Sequence, residues 1–161
     1  ELALKSQNTP SVIALSRQKV PFINHEYSKK NKCENGAYMV NITSHESNVT
    51  LIASGTEVEL ALKVQNKLKE NNIHSKVVSM PCMELFDKQS EEYKKDLIEE
   101  NDLIITLEAG SISHWQKYIK SKGLNIGVDQ FGESAPFEQV YDHFNLTEEK
   151  ITSLIQKKLR E

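Results

Sequence analysis

Cysteine is scarce in this sequence: its 161 residues include two cysteines, Cys33 and Cys82, which lie far apart. The pair lacks the CxxC or Cys/His spacing that metal sites and redox motifs use. Two isolated thiols exclude a disulfide-rich secreted scaffold, and they favour a reduced cytoplasmic setting over a disulfide. A reactive Cys82 would need a neighbouring base or helix N-terminus to stabilise its thiolate, so an inert thiol is the alternative.

An excess of positive charge and long apolar runs are also missing. The chain has 20 Lys and Arg residues and 23 Asp and Glu residues, so its net charge is -3, and the two signs are interleaved along most of the chain. This balance predicts no nucleic-acid partner and no attraction to an anionic membrane. No apolar run approaches the roughly 18 residues that a membrane span needs, so the sequence predicts no membrane partner.

Glycine is sparse, and this bears on nucleotide binding. Residues 52–61, IASGTEVELA, have the order strand, glycine and helix of a nucleotide-binding loop, but the loop holds one glycine where the fingerprint needs several. The pattern favours a tight turn into a helix, with Thr56 and Glu59 forming a capping box. An anion bound at that helix N-terminus is the second interpretation.

The hydrophobic pattern alternates between short β-rich runs and longer stretches of helical spacing. It predicts strands at 38–42, 49–53, 77–80, 103–107 and 125–128, and helices at 57–71, 90–100, just after 110, after 136 and from 147 to the end. The link between the first two strands is too short for a parallel crossover, so they should run antiparallel. The sequence therefore predicts an α/β fold: a three-layer α/β/α sandwich with a five-stranded, mostly parallel sheet and one antiparallel edge strand.

A polar stretch divides the chain. Residues 21–35 lack sustained periodicity and predict a linker, in which three lysines form a solvated run rather than a phosphate site. The main domain is expected at 36–161.

Before the linker, a stub of helix precedes an apolar run at 12–15 that is typical of a buried strand. Because the chain reaches this run so soon after Glu1, we expect it to be cut from a longer polypeptide.

Several polar groups are candidates for chemistry. Arg17 ends the apolar run at 12–15, where a guanidinium could bind a phosphate bidentately or form a surface salt bridge. Glu108 follows the strand at 103–107 and could form an acid/base pair with His114, although His114 next to Trp115 is more typical of packing.

An acidic metal cluster is a further hypothesis. Glu84, Asp87 and Glu133 are candidates for it, with surface-loop carboxylates as the favoured alternative, and the five histidines share no metal-ligand spacing.

Six motifs, in their order along the chain, closely resemble the end of transketolase. They are SVIALSRQ, TLIASGTEVELAL, VVSMPCMELFDKQSEEYK, LEAG followed by WxKYI, IGVDQFGESAP and FxLTEEKI. The resemblance covers nearly the entire chain, and the combination of SRQ, SMPCxELFDxQS and FGESAP is highly specific. The chain departs from the family at the linker, at Lys120 and Ser121, and at Asn145, where glycine is usual. Because Asn also tolerates a left-handed helix cap, this last departure should leave the fold intact.

The resemblance implies a homodimeric transferase of the pentose phosphate pathway that uses thiamine diphosphate and a divalent cation, Mg or Ca. Such an enzyme moves a two-carbon ketol unit from a ketose phosphate to an aldose phosphate. Residues 1–35 would be the tail of the pyrimidine-binding domain plus the linker, and residues 36–161 the Rossmann-like C-terminal domain. The cofactor, the cation and the acid/base histidines would belong to the remaining domains, so the isolated chain would bind no cofactor or metal and be inactive.

One site residue carries over from the resemblance. The arginine of the SRQ motif binds the phosphate of the sugar substrate in the family, and here that residue is Arg17. The rest of the chain would serve scaffolding and dimer contact. A hypothesis of a different class is a regulatory α/β module that binds a small anion or nucleotide at residues 54–56 and at the turns after Leu107 and Val128.

Overall fold

Helices and strands alternate through the described part of the chain, which comprises residues 1–23, 30–99, 102–119 and 123–161 of a computed structural model. The helices are α1 (Leu2–Lys5), α2 (Glu57–Glu70), α3 (Met83–Asp87), α4 (Glu91–Leu97), α5 (Phe137–His143) and α6 (Glu148–Lys158). The strands are β1 (Tyr38–Ile42), β2 (Val49–Ala53), β3 (Ser75–Ser79), β4 (Leu103–Leu107) and β5 (Leu124–Ile126). Short 3-10 helices lie at Lys32–Asn35 and Ser113–Trp115. Residues 24–29 of the predicted linker, the predicted helix end at Glu100, and the Lys120 and Ser121 departure lie outside the described residues.

The strands form one sheet in the order β1-β3-β2-β4-β5. Strands β3, β2, β4 and β5 run parallel, and β1 pairs with β3 antiparallel at one edge. The predicted fold class is therefore confirmed. As predicted, β1 and β2 run in opposite directions, but β3 lies between them. The link at residues 43–48 spans that strand, roughly 10 Å at the usual strand spacing.

Helices cover both faces of the sheet, which gives the three predicted layers. On one face, α2 and α6 pack against side chains that include Leu51 and Ile105. On the other face, α3, α4 and Trp115 pack against side chains that include Ile52 and Ile104. The alternation of neighbouring residues between the two faces follows from the two-residue period of a strand. Within the described residues, none of the helices is long and apolar enough to cross a membrane.

Two of the predicted helix starts are confirmed by their caps. The Ser90 hydroxyl accepts a hydrogen bond from the Tyr93 amide at 3.2 Å, and the Thr147 hydroxyl accepts one from the Lys150 amide at 3.5 Å. These bonds satisfy donors that the first turn of a helix leaves free. Helix α4 ends at Leu97, earlier than its spacing predicted.

The capping box predicted for α2 is wrong. Thr56 has helical backbone angles (φ -66°, ψ -27°), so it is not in the extended conformation of an N-cap. Its hydroxyl donates instead to the Glu57 carboxylate, with Oγ1 2.6 Å from Oε1. Helix α2 starts from a tight turn, in which Gly55 has φ 54° and the Glu57 amide donates to the Ser54 carbonyl at 3.2 Å.

The strand predicted at residues 12–15 is not formed. Residues 10–23 have no helix or strand, and Val12, Ile13 and Leu15 are 97%, 69% and 85% exposed. A strand exists only with a hydrogen-bonded partner, and in the described part of the chain none of the five strands pairs with this segment. The stub of helix predicted before it is present as α1.

The remaining differences concern short elements. The helix expected after Gly110 is a single 3-10 turn at Ser113–Trp115, β3 begins at Ser75, and β5 ends at Ile126. Helix α3 was not predicted, and Asp87 lies at its end rather than in a loop. Five residues are too few for a hydrophobic period to identify a helix.

A buried ion network lies at the edge of the sheet where the parallel strands begin. Lys76 of β3 is 1% exposed, and its ammonium lies 2.7 Å from the Glu99 carboxylate and 3.1 Å from the Asp102 carboxylate. The Thr50 hydroxyl of β2 also donates to Asp102. Because Asp102 is itself buried, the ammonium neutralises a carboxylate that has little access to water.

Gly36 connects the predicted linker to the domain through a close backbone approach. Its carbonyl accepts a hydrogen bond from the Cys82 amide at 3.0 Å, and its φ of 79° lies in the left-handed region. A Cβ at this position would lie 2.2 Å from the Phe86 nitrogen and 2.3 Å from the Cys82 oxygen. Glycine is therefore required both by conformation and by space.

We expect Lys76→Met to lower the free energy of unfolding by about 3–5 kcal/mol, because Asp102 would stay buried without its cation. Chemical denaturation measures the loss. Lys117→Met is the matched control: it removes an ammonium that pairs with Asp87 at the surface, where a pair contributes less than about 1 kcal/mol. Equal losses in the two variants would contradict a structural role for the buried network.

We expect Gly36→Ala to destabilise the chain by at least about 2 kcal/mol, because the new Cβ meets backbone atoms that cannot rotate away. Gly55→Ala is the control. Gly55 also has a left-handed backbone, but no atom lies within 4 Å of the position that its Cβ would take. The free energy of unfolding of this variant should therefore fall by only about 1 kcal/mol, the cost of a left-handed backbone for alanine. Similar melting temperatures for the two variants would show that the close approach at Gly36 is unimportant.

Candidate functional site

The edge of the sheet where the parallel strands end gathers polar side chains from four elements. Ser54 follows β2, Glu57 begins α2, Glu108 follows β4, and Tyr141 lies on α5. Together with Thr56 we call these residues the carboxyl-edge cluster. Loops at this edge are where open α/β sheets usually bind ligands.

Glu57 is the centre of the carboxyl-edge cluster. It is 4% exposed, and its Oε1 accepts two hydrogen bonds of 2.6 Å, from the Thr56 hydroxyl and from the Tyr141 hydroxyl. Burial and the hydrogen bond to Glu57 raise the pKa of Tyr141 to about 12, so its hydroxyl keeps its proton and remains a donor. Two hydroxyl groups thus satisfy one oxygen of this buried carboxyl group.

Glu108 is a second, half-buried carboxyl group in the cluster. The Ser54 hydroxyl donates to its Oε2 at 3.2 Å. Burial and the nearby Glu57 carboxylate raise the pKa of Glu108, and the Ser54 hydrogen bond partly offsets them. Among the described residues, Glu108 has no hydrogen bond with His114, whose Nδ1 lies 3.4 Å from the Ser113 hydroxyl. His114 has a small electrostatic effect that lowers the Glu108 pKa. The hypothesised acid/base pair is therefore close in space but not hydrogen-bonded.

An anion does not fit the start of α2. The amides of Glu57, Val58 and Glu59 already donate to the carbonyls of residues 54, 55 and 56 at 3.2–3.4 Å. Their donors are engaged within the turn rather than directed at a ligand. The Glu57 and Glu108 carboxyl groups add negative charge that would repel a phosphate. The geometry therefore counts against the hypothesis of a module that binds a small anion or nucleotide at residues 54–56.

Arg17 lies on the exposed segment of residues 10–23, which has no helix or strand. The Gln18 side chain, in the next residue, lowers the pKa of Tyr141, but this effect is smaller than the opposite effects of burial and of the hydrogen bond to Glu57. Further along, Ile23 packs against the core. Arg17 itself is exposed, and no ion pair to its guanidinium is formed within the described ranges. Its guanidinium is thus available to a ligand.

The hypothesised metal cluster is not formed. The Asp87 carboxylate accepts a hydrogen bond from the Tyr118 hydroxyl at 2.8 Å and pairs with Lys117. The Cys82 thiol donates a hydrogen bond to the Glu84 carboxylate at 3.5 Å. Throughout the part of the chain that the structure describes, no group of three or more His, Cys, Asp and Glu residues could hold a metal ion.

Sequence reasoning missed Glu57 and Tyr141. Both read as ordinary members of amphipathic helices, and their contact joins positions 84 residues apart. The available signal was an acidic residue directly after a glycine turn at the end of a buried strand. The carboxyl group of a residue at that position lies at the helix N-terminus, where a ligand would otherwise bind.

A family model described as the transketolase-like TK C-terminal domain matches residues 36–147. A transketolase from Rhodobacter capsulatus is 38% identical over 165 residues, which cover 99% of this chain and 25% of the relative. The chain thus spans about a quarter of the length of the curated relatives that it matches.

Solved structures agree with the sequence matches. A transketolase variant from Pichia stipitis superposes with a TM-score of 0.87 and 29% identity, over 98% of this chain and 23% of that chain. A transketolase from the same organism, in complex with sedoheptulose-7-phosphate, has a TM-score of 0.74 and 29% identity, over 80% of this chain and 18% of that chain. From the match over residues 36–147 and the shared fold, this chain belongs to the transketolase-like TK C-terminal domain family.

Proposed function

We propose that this chain is the C-terminal part of a transketolase, which transfers a two-carbon ketol unit from a ketose phosphate to an aldose phosphate in the pentose phosphate pathway. The observation that carries the proposal is the 38% identity to a transketolase across 99% of the chain. The six motifs that resemble the end of transketolase support it as well, because they occur in the same order. In this role the domain serves as a scaffold and as part of the contact between two subunits.

In this proposal residues 1–35 are the tail of the preceding pyrimidine-binding domain plus the linker, and residues 36–161 are the C-terminal domain. Val12, Ile13 and Leu15 support this division, because they expose apolar side chains that the C-terminal domain does not cover. Scattered exposed apolar residues are ordinary, but three within four positions indicate a surface that packs elsewhere. They would complete a strand in the sheet of the preceding domain.

Arg17 binds the phosphate of the sugar substrate in this proposal. A guanidinium keeps its charge at cellular pH and offers a planar set of donors to two phosphate oxygens. Holding the phosphate at one end of the sugar orients the reacting carbonyl at the other end, and such orientation contributes to rate. Three observations support the assignment: the exposure of Arg17, the lack of an ion pair to it within the described residues, and a superposition that covers 98% of this chain.

The cofactors belong to the other domains in this proposal. Thiamine diphosphate supplies the carbanion chemistry of ketol transfer, and a divalent cation, Mg or Ca, holds its diphosphate. The carboxyl-edge cluster does not fit a diphosphate, since two carboxyl groups occupy it and the first amides of α2 are engaged. In this proposal the carboxyl-edge cluster therefore takes no part in the cofactor chemistry. We also propose a homodimer in the cytoplasm, a compartment that suits the unpaired Cys33 and Cys82.

In the full-length enzyme, Arg17→Ala should raise KM for phosphorylated sugars roughly 10- to 100-fold, the loss expected for hydrogen bonds to a charged group. KM for an unphosphorylated ketose should change little. Lys19→Ala is the matched control, because Lys19 is an exposed cation two positions away. Steady-state kinetics with both substrate classes measure the difference. Equal effects of Arg17→Ala on the two classes would remove Arg17 from the phosphate site.

We expect residues 1–161 alone to show no ketol transfer in a coupled assay, with thiamine diphosphate and Mg²⁺ supplied. The reason is that the groups proposed to bind the cofactor and to transfer protons lie on the other domains. The full-length enzyme under the same conditions is the positive control. Measurable turnover by the isolated chain would contradict the proposed division of labour between the domains.

A further inference from the structure

The loop that follows β5 leaves two phenylalanine rings uncovered. Residues 129–136 have no helix or strand, and every residue from 129 to 139 is exposed. Phe131 is 98% exposed and Phe137 is 49% exposed. Single exposed apolar residues are ordinary, but two phenyl rings on one short loop indicate a surface that packs elsewhere. We call residues 129–137 the aromatic loop.

Both ends of the aromatic loop are fixed to the domain. At the first end, the Asp129 carboxylate accepts a hydrogen bond from the Ile112 amide at 3.2 Å. At the second end, the Phe137 ring packs edge-to-face against Tyr141, with 4.7 Å between the ring centroids. Phe131 lies between these two anchors. Its exposure therefore belongs to a loop with a defined base rather than to a free chain end.

The surface around the two rings is acidic. Asp129, Glu133 and Glu138 are exposed, and the sequence holds no Lys or Arg at residues 124–147. A complementary surface therefore needs an apolar pocket with Lys or Arg side chains at its rim. A second copy of the aromatic loop does not meet this requirement, because two acidic surfaces would repel each other across a symmetric contact.

In the proposed function, a preceding domain of the same chain can offer such a surface. The chain spans about a quarter of the length of its curated relatives, so most of the enzyme lies outside it. The apolar side chains of Val12, Ile13 and Leu15 also lack a cover in the C-terminal domain. The aromatic loop belongs to the motif IGVDQFGESAP, which contributes to the resemblance to transketolase. A contact between domains accounts for a motif that the proposed phosphate site does not use.

We propose that the aromatic loop is a docking element, whose Phe131 ring inserts into an apolar pocket with a basic rim on the preceding pyrimidine-binding domain of the same chain. The inference rests on the proposed function, which is the source of that preceding domain. A covalent connection through residues 21–35 alone would allow the two domains to move relative to each other. An aromatic ring buried in a pocket of the neighbouring domain restricts that motion.

The test is hydroxyl-radical footprinting of the full-length enzyme, with oxidation of each residue measured by mass spectrometry. Oxidation of Phe131 should be at least about 10-fold slower than that of an exposed phenylalanine, because a ring seated at the centre of a contact is desolvated. Leu154 is the internal control. Its side chain is 42% exposed on α6, and it should react at the rate of an exposed leucine.

Glu133→Lys tests the basic rim without changing the ring. This charge reversal places like charges opposite each other, so it should speed the oxidation of Phe131 at least about fivefold. Glu70→Lys is the matched control, because it reverses a charge at the exposed end of α2 and should leave the oxidation of Phe131 unchanged. Equal oxidation of Phe131 in the two variants would overturn the basic rim, and with it the choice of partner surface.

Phe131→Ser distinguishes a contact within one chain from a contact between subunits. Because Phe131 is exposed in this domain, folding of the domain does not depend on the ring. In sedimentation equilibrium, the dissociation constant of the full-length dimer should stay within about twofold of the wild-type value, since an intrachain contact adds nothing to association. A rise of about 10-fold or more, the loss of an aromatic anchor at a subunit interface, would overturn the proposal.

The docking inference and the proposed function fail in different ways. Rapid oxidation of Phe131 in the wild-type enzyme would overturn the docking inference, whatever the enzyme catalyses. The proposed function fails if the wild-type full-length enzyme shows no ketol transfer in the coupled assay. An active enzyme with an unprotected Phe131 would therefore overturn the docking inference alone.

Discussion

The burial of β2 and β4 on both faces is the constraint on which the rest of this structure depends. Every residue of these two strands is enclosed between helical layers. An ionised group in the middle of such a sheet would lose its hydration without compensation. Charged side chains are therefore expected near the strand ends. Among the described residues, the buried charged side chains lie accordingly at two edges, with Lys76 and Asp102 at one and Glu57 at the other. The half-buried Glu108 lies at the same edge as Glu57.

The two edges stabilise their carboxylates by different means, and the difference bears on function. At the edge where the strands begin, a buried ammonium neutralises Asp102, and the network is complete within the domain. At the edge where they end, the Thr56 and Tyr141 hydroxyl groups donate to Glu57. Carboxyl groups at that edge do not suit a phosphate, which supports the proposal that Arg17, on the segment before the domain, binds the phosphate of the substrate.

The fold could be predicted from the sequence because its determinants are local. Short β-rich runs and helical spacing identified the five strands and the longer helices, and the caps at Ser90 and Thr147 marked two helix starts. The cap at Thr56 could not be predicted correctly, since its geometry depends on the left-handed turn at Gly55 that precedes it. The Glu57–Tyr141 contact depends on how α5 crosses the end of α2, and no local pattern encodes such a crossing.

The apolar run at residues 12–15 shows a further limit of a local pattern. Its composition is that of a buried strand, but burial requires a partner, and Val12 is 97% exposed in this chain. Arg17 follows apolar side chains that the described residues do not cover, and it precedes Ile23, which packs against the core of the domain. The arginine thus lies between a run that needs a partner surface and a residue that is fixed to the domain, which is why a local pattern could identify the run but not its burial.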